Sequence, residues 1–338
     1  MKILFLDFLY PKGHICFNKN IINYLSEFSD VYILSQKDYY KDFKEDILKT
    51  NTNIIEKVNI KVGKGGLLSR LYSLYVMKIS SDFYKSIKEW DYVLISSFDT
   101  ISFAFGQYFF KNLNNMYLVH HNNTDELRNY IKLFFFKSYM RKVNHIVLGE
   151  FIKDYLINEI GIESDKIYSL PHPLSDEKCS SIGYEKYLCV GLSNSNDEQL
   201  IQQIIEREKE KEDFLKLRKK VILKSKLNEF DNGYLKVLKG HLKKELYEEY
   251  ISNCKYIYMP FPYTFRNRMS GTLIDALSNN KIVLGSNIPL IRHYSKRYPN
   301  ICNVVENLDK FYYILTSSTQ NSEIFRSEFE AFKERHSK

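Results

Sequence analysis

Residues 256–286 read YIYMPFPYTFRNRMSGTLIDALSNNKIVLGS. The stretch opens on an apolar run ending at a proline and passes through a loop rich in aromatic and basic residues. It continues as MSGTLIDALSNN and closes on a second apolar run, KIVLGS. Short apolar runs bounded by turn residues read as buried strands, and the segment between them has helical spacing. Strand, helix, strand in that order is a βαβ unit, whose two strands lie parallel.

The same alternation extends both ways. Downstream, ICNVVE is a further strand and residues 322–338 form a polar amphipathic helix. Upstream, YLKVL, KVILKS and KYLCVG are strands, with helices ending near residue 211 and over 243–253. Near residue 170 the pattern breaks at LPHPLSDEKCSSIGYE, whose prolines, glycine and Ser/Asp residues mark a linker. Before it the alternation returns: KILFLDFL, VYILS, YVLISS, MYLVH and HIVLG are strands, with helices over 15–28 and 123–142. The expected fold class is α/β, with two doubly wound Rossmann-like domains facing across a cleft. The N-terminal domain covers 1–175, the C-terminal domain 185–316, and a helix over 317–338 packs back on the N-terminal domain.

A chain of 338 residues exceeds the size at which one core usually serves, which agrees with two domains. The net charge of +8 favours anionic partners without choosing among them. Five cysteines without a CxxC pair argue against a zinc site or a disulfide framework and fit a reducing compartment. The N-terminal apolar run is short and lacks a small-residue cleavage site, so it reads as a first strand. No stretch reaches the length needed to span a bilayer. No zinc-finger, RRM or helix-turn-helix signature supports nucleic-acid binding.

In open α/β sheets ligands sit beyond the carboxyl ends of strands. The first strand is followed by YPKGH, where Gly13 lets backbone approach a ligand. MYLVH ends in HHNN: His120 and His121 leave a strand end, alternation lets one of them face the ligand, and Asn123 serves as the N-cap of the next helix. In the opening stretch, Ser270, Gly271 and Thr272 place small residues at a helix start, where free N–H groups and the helix dipole attract an anion. Arg266 and Arg268 flank that start and can bond phosphate. Asp275, about one turn in, can accept from a ribose diol. The bland alternative is a capped surface helix with two solvated arginines.

These segments together resemble glycosyltransferase family 4 and its GT-B relatives over nearly the whole chain. The carriers are PKGH, VHHNN, HIVLGEFIKDYLINEIGIESDKIYSLPHPL, KYLCVG and KIVLGSNIPLIRHY. The resemblance implies transfer of a sugar from a nucleotide-sugar substrate, UDP-sugar favoured, with retained configuration and without metal or other cofactor. It matches Asn267 and Asp275 to the family's two donor-site glutamates. Asp275 would then hold the ribose, Asn267 the transferred sugar, Ser270 and Gly271 the diphosphate, and His120 or His121 the sugar near the reacting bond. The family's Arg and Lys after the first donor-domain strand are missing from GLSNSNDE. Arg266, Arg268, Lys224 or Lys226 would have to replace them as the clamp on the leaving diphosphate.

RNYIKLFFFKSYMRK interleaves basic and aromatic residues and, with SRLYSLYVMK, suits contact with an anionic membrane. This fits a cytoplasmic protein, peripheral on the inner face of the cell membrane, acting on a glycan or lipid-linked acceptor of a bacterial surface polysaccharide. The missing cations motivate a second reading, a non-catalytic GT-B partner of an active glycosyltransferase. A GT-B epimerase or phosphorylase uses the same fold.

Overall fold

The computed structural model describes residues 1–8, 15–36, 40, 52–58, 66–87, 89–174, 186–240, 242–317 and 322–337. The chain divides into two compact units. One is Met1–Pro173 with Asn267–Met269; the other is Leu174–Arg266 with Ser270–Lys338. Most of the expected linker, and Gly13, lie outside the described residues.

The first unit is built on seven strands: β1 (Lys2–Asp7), β2 (Asp30–Gln36), β3 (Thr52–Val58), β4 (Tyr92–Ser97), β5 (Met116–His120), β6 (Asn144–Val147) and β7 (Ile167–Ser169). Their order is β3-β2-β1-β4-β5-β6-β7, and every pairing is parallel. Leu4, Phe5, Leu6, Val93 and Ile95 are fully buried, as strands covered on both faces require. The strand order reverses between β1 and β4, so the crevice of this sheet opens beyond their carboxyl ends.

The single helix expected over 123–142 is instead two pieces. A 3₁₀ turn spans Asp125–Arg128 and an α-helix Tyr130–Lys137. Asn129, not Asn123, is the N-cap, accepting from the N–H groups of Ile131 and Lys132 at 3.0 and 3.2 Å. A side chain that bonds its own following backbone ends one helix and starts another.

The second unit repeats the architecture with β8 (Tyr187–Gly191), β9 (Val221–Ser225), β10 (Phe230–Asp231), β11 (Leu235–Lys239), β12 (Cys254–Met259), β13 (Ile282–Ser286) and β14 (Cys302–Val305). The order is β10-β11-β9-β8-β12-β13-β14. Among the described strands of this sheet, the short β10 edge alone runs antiparallel, through a turn that Gly233 permits with φ of 86°. Gly191 marks a close approach, since a Cβ there would lie 3.0 Å from both Leu223 Cδ2 and the Tyr258 carbonyl oxygen.

The helix Ser322–His336 groups with this second unit. Its fully buried Phe332 packs against Tyr294 and Tyr298, with ring centroids at 6.2 and 5.8 Å. Burying one phenylalanine contributes roughly 1.5–3 kcal/mol. Exposed pairs such as Arg326–Glu330 contribute at most about 1 kcal/mol. The apolar face therefore decides where this charged helix docks, and charge patterning could not reveal its partner.

Candidate functional site

In the first unit, β4 and β5 are neighbours, so the residues after each emerge side by side. A polar network fixes the strand ends beneath them. Asn18 donates to Asp7 Oδ2 at 2.9 Å, while the hydroxyls of Ser97 and Ser96 donate to Asp7 Oδ1 and Asn18 Oδ1. Tyr40 is buried beside this network. Burial first, and Asp7 second, hold its phenol well above the usual pKa against a bond to Asn18. Over the strand ends lies a cavity of about 400 Å³, lined in part by Ser69, Arg70, Asp99, His121, Asn122, Asn123 and Glu126. Asp99 caps the helix Thr100–Gly106 through Ser102 N at 2.8 Å, and Arg70 Nε lies 3.6 Å from its carboxylate.

The two histidines take opposite sides of the extended chain. His120 does not face the cavity: it is fully buried, its Nε2 2.8 Å from His145 Nδ1. His145 Nε2 in turn lies 2.8 Å from the Met140 carbonyl oxygen. A carbonyl can only accept, so His145 carries its proton on Nε2, and His120 must donate from Nε2 to His145 Nδ1. Burial lowers the His145 pKa to about 4, against the Met140 bond and with help from Lys166. Burial, then His145, hold His120 well below its ordinary value, opposed by Asn123. His120 is thus a neutral packing residue, and the catalytic expectation for it is corrected.

His121 does line the cavity. Its Nε2 is 3.0 Å from the Ser96 carbonyl oxygen, and Phe17 meets its ring edge-on at 4.7 Å. The carbonyl can only accept, so Nε2 carries the proton it donates there.

The loop after β5 also holds Asn267–Met269. Asp125 Oδ1 accepts from the Asn267 N–H at 2.7 Å, and its Oδ2 lies 3.1 Å from Arg268 Nε. The Thr124 hydroxyl donates to the Asn267 carbonyl. Asn267 is 2% exposed, and its side-chain Nδ2 is buried without a hydrogen-bond partner. Burial lowers the Arg268 pKa while Asp125 and Glu126 resist. Its charge is thus matched by a carboxylate of its own unit, which weakens the expectation that it clamps phosphate.

The other expected donor residues lie in the second unit. Ser270 is the N-cap of the helix Gly271–Ser278, its hydroxyl accepting from Leu273 N at 3.4 Å. Gly271 is exposed with open space where a Cβ would stand, and Thr272 follows it. Asp275 accepts from the Tyr247 hydroxyl at 3.0 Å. The Arg266 guanidinium lies 4.8 Å from the centre of the Tyr263 ring. The stretch read as one donor loop is thus split: Asn267 and Arg268 group with the first unit; Arg266, Ser270, Gly271, Thr272 and Asp275 with the second. Of the lysines offered in place of the missing cations, Lys226 is exposed and Lys224 is buried near the end of β9. Among the described residues, no three His, Cys, Asp or Glu side chains gather as a metal site requires.

Sequence reading missed Asp99, Arg70 and Asp125, and gave Asn122 and Glu126 no place in a site. Asp99 was findable as the first polar residue after YVLISS; Asp125 was not, because its partners are 142 and 143 positions away.

Two doubly wound units of this topology define the GT-B fold. No protein-family model matches the chain, and no curated protein sequence does. Solved structures do. Anabaena HepE, in complex with UDP and glucose, aligns over 99% of this chain and 95% of its own at 11% identity, with a TM-score of 0.65. A glycosyltransferase from Rickettsia africae aligns over 99% and 93% at 12% identity, with a TM-score of 0.55. The UDP-GlcNAc 2-epimerase of Methanocaldococcus jannaschii aligns over 98% of each chain at 14% identity, with a TM-score of 0.56. At these identities the likeness concerns the fold.

Proposed function

We propose that the chain is a glycosyltransferase moving a sugar from a nucleotide donor, a UDP-sugar in the first instance, to a lipid-linked glycan. The observation that carries this reading is the cavity over β4 and β5. Its carboxylates, amides and single imidazole are the groups that bind the hydroxyls of a sugar, and Anabaena HepE, which is similar in fold, has been solved with UDP and glucose. In the transfer, the bond from the anomeric carbon to the donor phosphate breaks. An acceptor oxygen bonds that carbon, its proton passes to water, and the nucleoside diphosphate departs. His121, which lines this cavity, is the residue suited to a sugar hydroxyl. Ser270, Gly271 and Thr272 offer the helix start to the phosphates, and Asp275 offers its carboxylate to the ribose. Retention, and transfer without metal, rest on the family resemblance alone.

A thermal-shift screen against UDP, GDP, CMP, dTDP and their sugar conjugates tests the reading, since a ligand of the folded state raises the Tm. One nucleotide class should stabilise the protein, and Asp275→Ala should weaken that shift. With the identified donor, His121→Ala should slow transfer by about 10-fold, as loss of one polar contact to the sugar implies, and should lower the Tm slightly through the lost Ser96 bond. A protein that binds none of these nucleotides is not the proposed enzyme. The second reading, a non-catalytic GT-B partner, is favoured by the Asp125–Arg268 pairing and would gain from that result.

The lipid-linked acceptor is supported by a surface of the first unit. The helix Leu67–Ser86 packs on Thr100–Gly106, which packs on Tyr130–Lys137. Along these three helices Leu67, Leu68, Phe105, Tyr130, Ile131 and Phe134 are exposed, Tyr130 to 88%, as are Lys137 and, beyond the end of the third helix, Arg141 and Lys142. Apolar side chains among cations suit an anionic bilayer interface. No helix of the described residues is long and apolar enough to cross a membrane. The protein should sediment with phosphatidylglycerol vesicles and less with phosphatidylcholine. The double change Tyr130→Glu, Phe134→Glu should lower binding at least tenfold, and a wild-type protein left in the supernatant ends this part of the proposal.

A further inference from the structure

β9 reads VILKS, an apolar strand with a charge inside it. Lys224 is only 4% exposed. Its ammonium donates to Asn194 Oδ1 in the loop after β8. Among the described residues no carboxylate pairs with it. The acids that open the neighbouring helix are engaged elsewhere. Glu198 takes the Ser225 hydroxyl and the N–H groups of Lys226 and Leu227, the latter two at 2.9 and 3.2 Å. Asp197 caps its own helix through Gln199 N at 2.9 Å.

An ammonium carries three donors, and Asn194 accepts from one. Removing such an ion from water costs several kcal/mol unless another charge offsets it. Burial accordingly lowers the Lys224 pKa, with Lys226 acting in the same direction. A lysine stem often lies buried while its head reaches water, but then the residue as a whole is more exposed than this one. Asn194 is itself exposed, so the ammonium sits one side chain below the surface.

Its position is also specific. The order of the second sheet reverses at β8 and β12, the place where doubly wound sheets take ligands. The loops after β8, β9 and β12 meet there. Asn196 Nδ2 donates to the carbonyls of Gly191 and Lys224, both at 2.9 Å, and Asp197 N–H donates to the Pro260 carbonyl at 2.6 Å.

We infer that Lys224 and Asn194 form an oxyanion site at the carboxyl edge of the second sheet, built for a phosphate group of a polyphosphate ligand. Resting on the proposed function, that group is the diphosphate of the donor.

The test measures inorganic pyrophosphate and UDP binding by calorimetry in the wild type, Asn194→Asp and Lys224→Met. Asn194→Asp sets a carboxylate beside the ammonium. It should raise the Tm of the free protein and weaken pyrophosphate binding at least tenfold. Lys224→Met keeps the buried stem and should weaken it similarly. A wild type that does not bind pyrophosphate, or both variants binding it as the wild type does, overturns the inference. If UDP still binds the wild type in that case, the donor reading survives without Lys224. If pyrophosphate binding falls in both variants but no nucleotide binds, the anion site stands and the glycosyltransferase reading fails.

Discussion

Lowering the pH from 6.5 toward 4 is expected to remove about 3 kcal/mol of folding stability through His145 alone. Its pKa is depressed in the folded state, to about 4. Above 6.5 the ring is neutral whether the chain is folded or not, and the stability is fully present. Below 6.5 the unfolded ring takes a proton that the folded ring refuses, so stability falls until the folded value is reached. His120 is lowered by burial too and adds loss of the same sign. A proton on His145 Nδ1 would also set two donors face to face at 2.8 Å. Urea midpoints measured between pH 7.5 and 5 separate this from the titration of ordinary carboxylates. His145→Gln, which cannot titrate, should flatten the slope. A variant as acid-sensitive as the wild type would show that the pair is not the cause.

Asp125→Ala is expected to cost about 2 to 3 kcal/mol. One carboxylate serves both the Asn267 N–H and the Arg268 guanidinium, and Asp125 is only 10% exposed at its side chain. Its removal takes from a half-buried cation and a backbone amide the carboxylate they share, which is costlier than removing both partners. Asp125→Asn keeps an acceptor for the amide and should lose less. A double-mutant cycle with Arg268→Ala should show coupling of about 1 kcal/mol or more. Additive losses would mean that the ion pair contributes nothing.

The two sheets were legible because their strands are buried on both faces, which makes LFL, VLIS and IVLG continuous apolar runs that few other environments tolerate. The helix start at Ser270 was legible for a local reason, a small hydroxyl residue before a glycine and an apolar run. What failed was parity and distance. HHNN announces a strand end, but which histidine points inward depends on the core packed against β5, where Phe136 and His145 receive His120. Asn129 rather than Asn123 caps the helix, and Asp125 just before it binds residues far along the chain. The burial of Lys224 depends on the loop after β8, some 30 positions away. Such contacts leave no mark in local periodicity.

The membership of Asn267–Met269 in the first unit has a genetic consequence. That unit is a discontinuous domain, so no single cut yields it whole. A gene fragment stopping at residue 173 would encode all seven of its strands yet leave Thr124 and Asp125 without the main chain they bind. Recombination that exchanges first halves between relatives would therefore have to carry two segments, the second only three codons long, and inheritance of this unit is tied to that of the segment around Arg266.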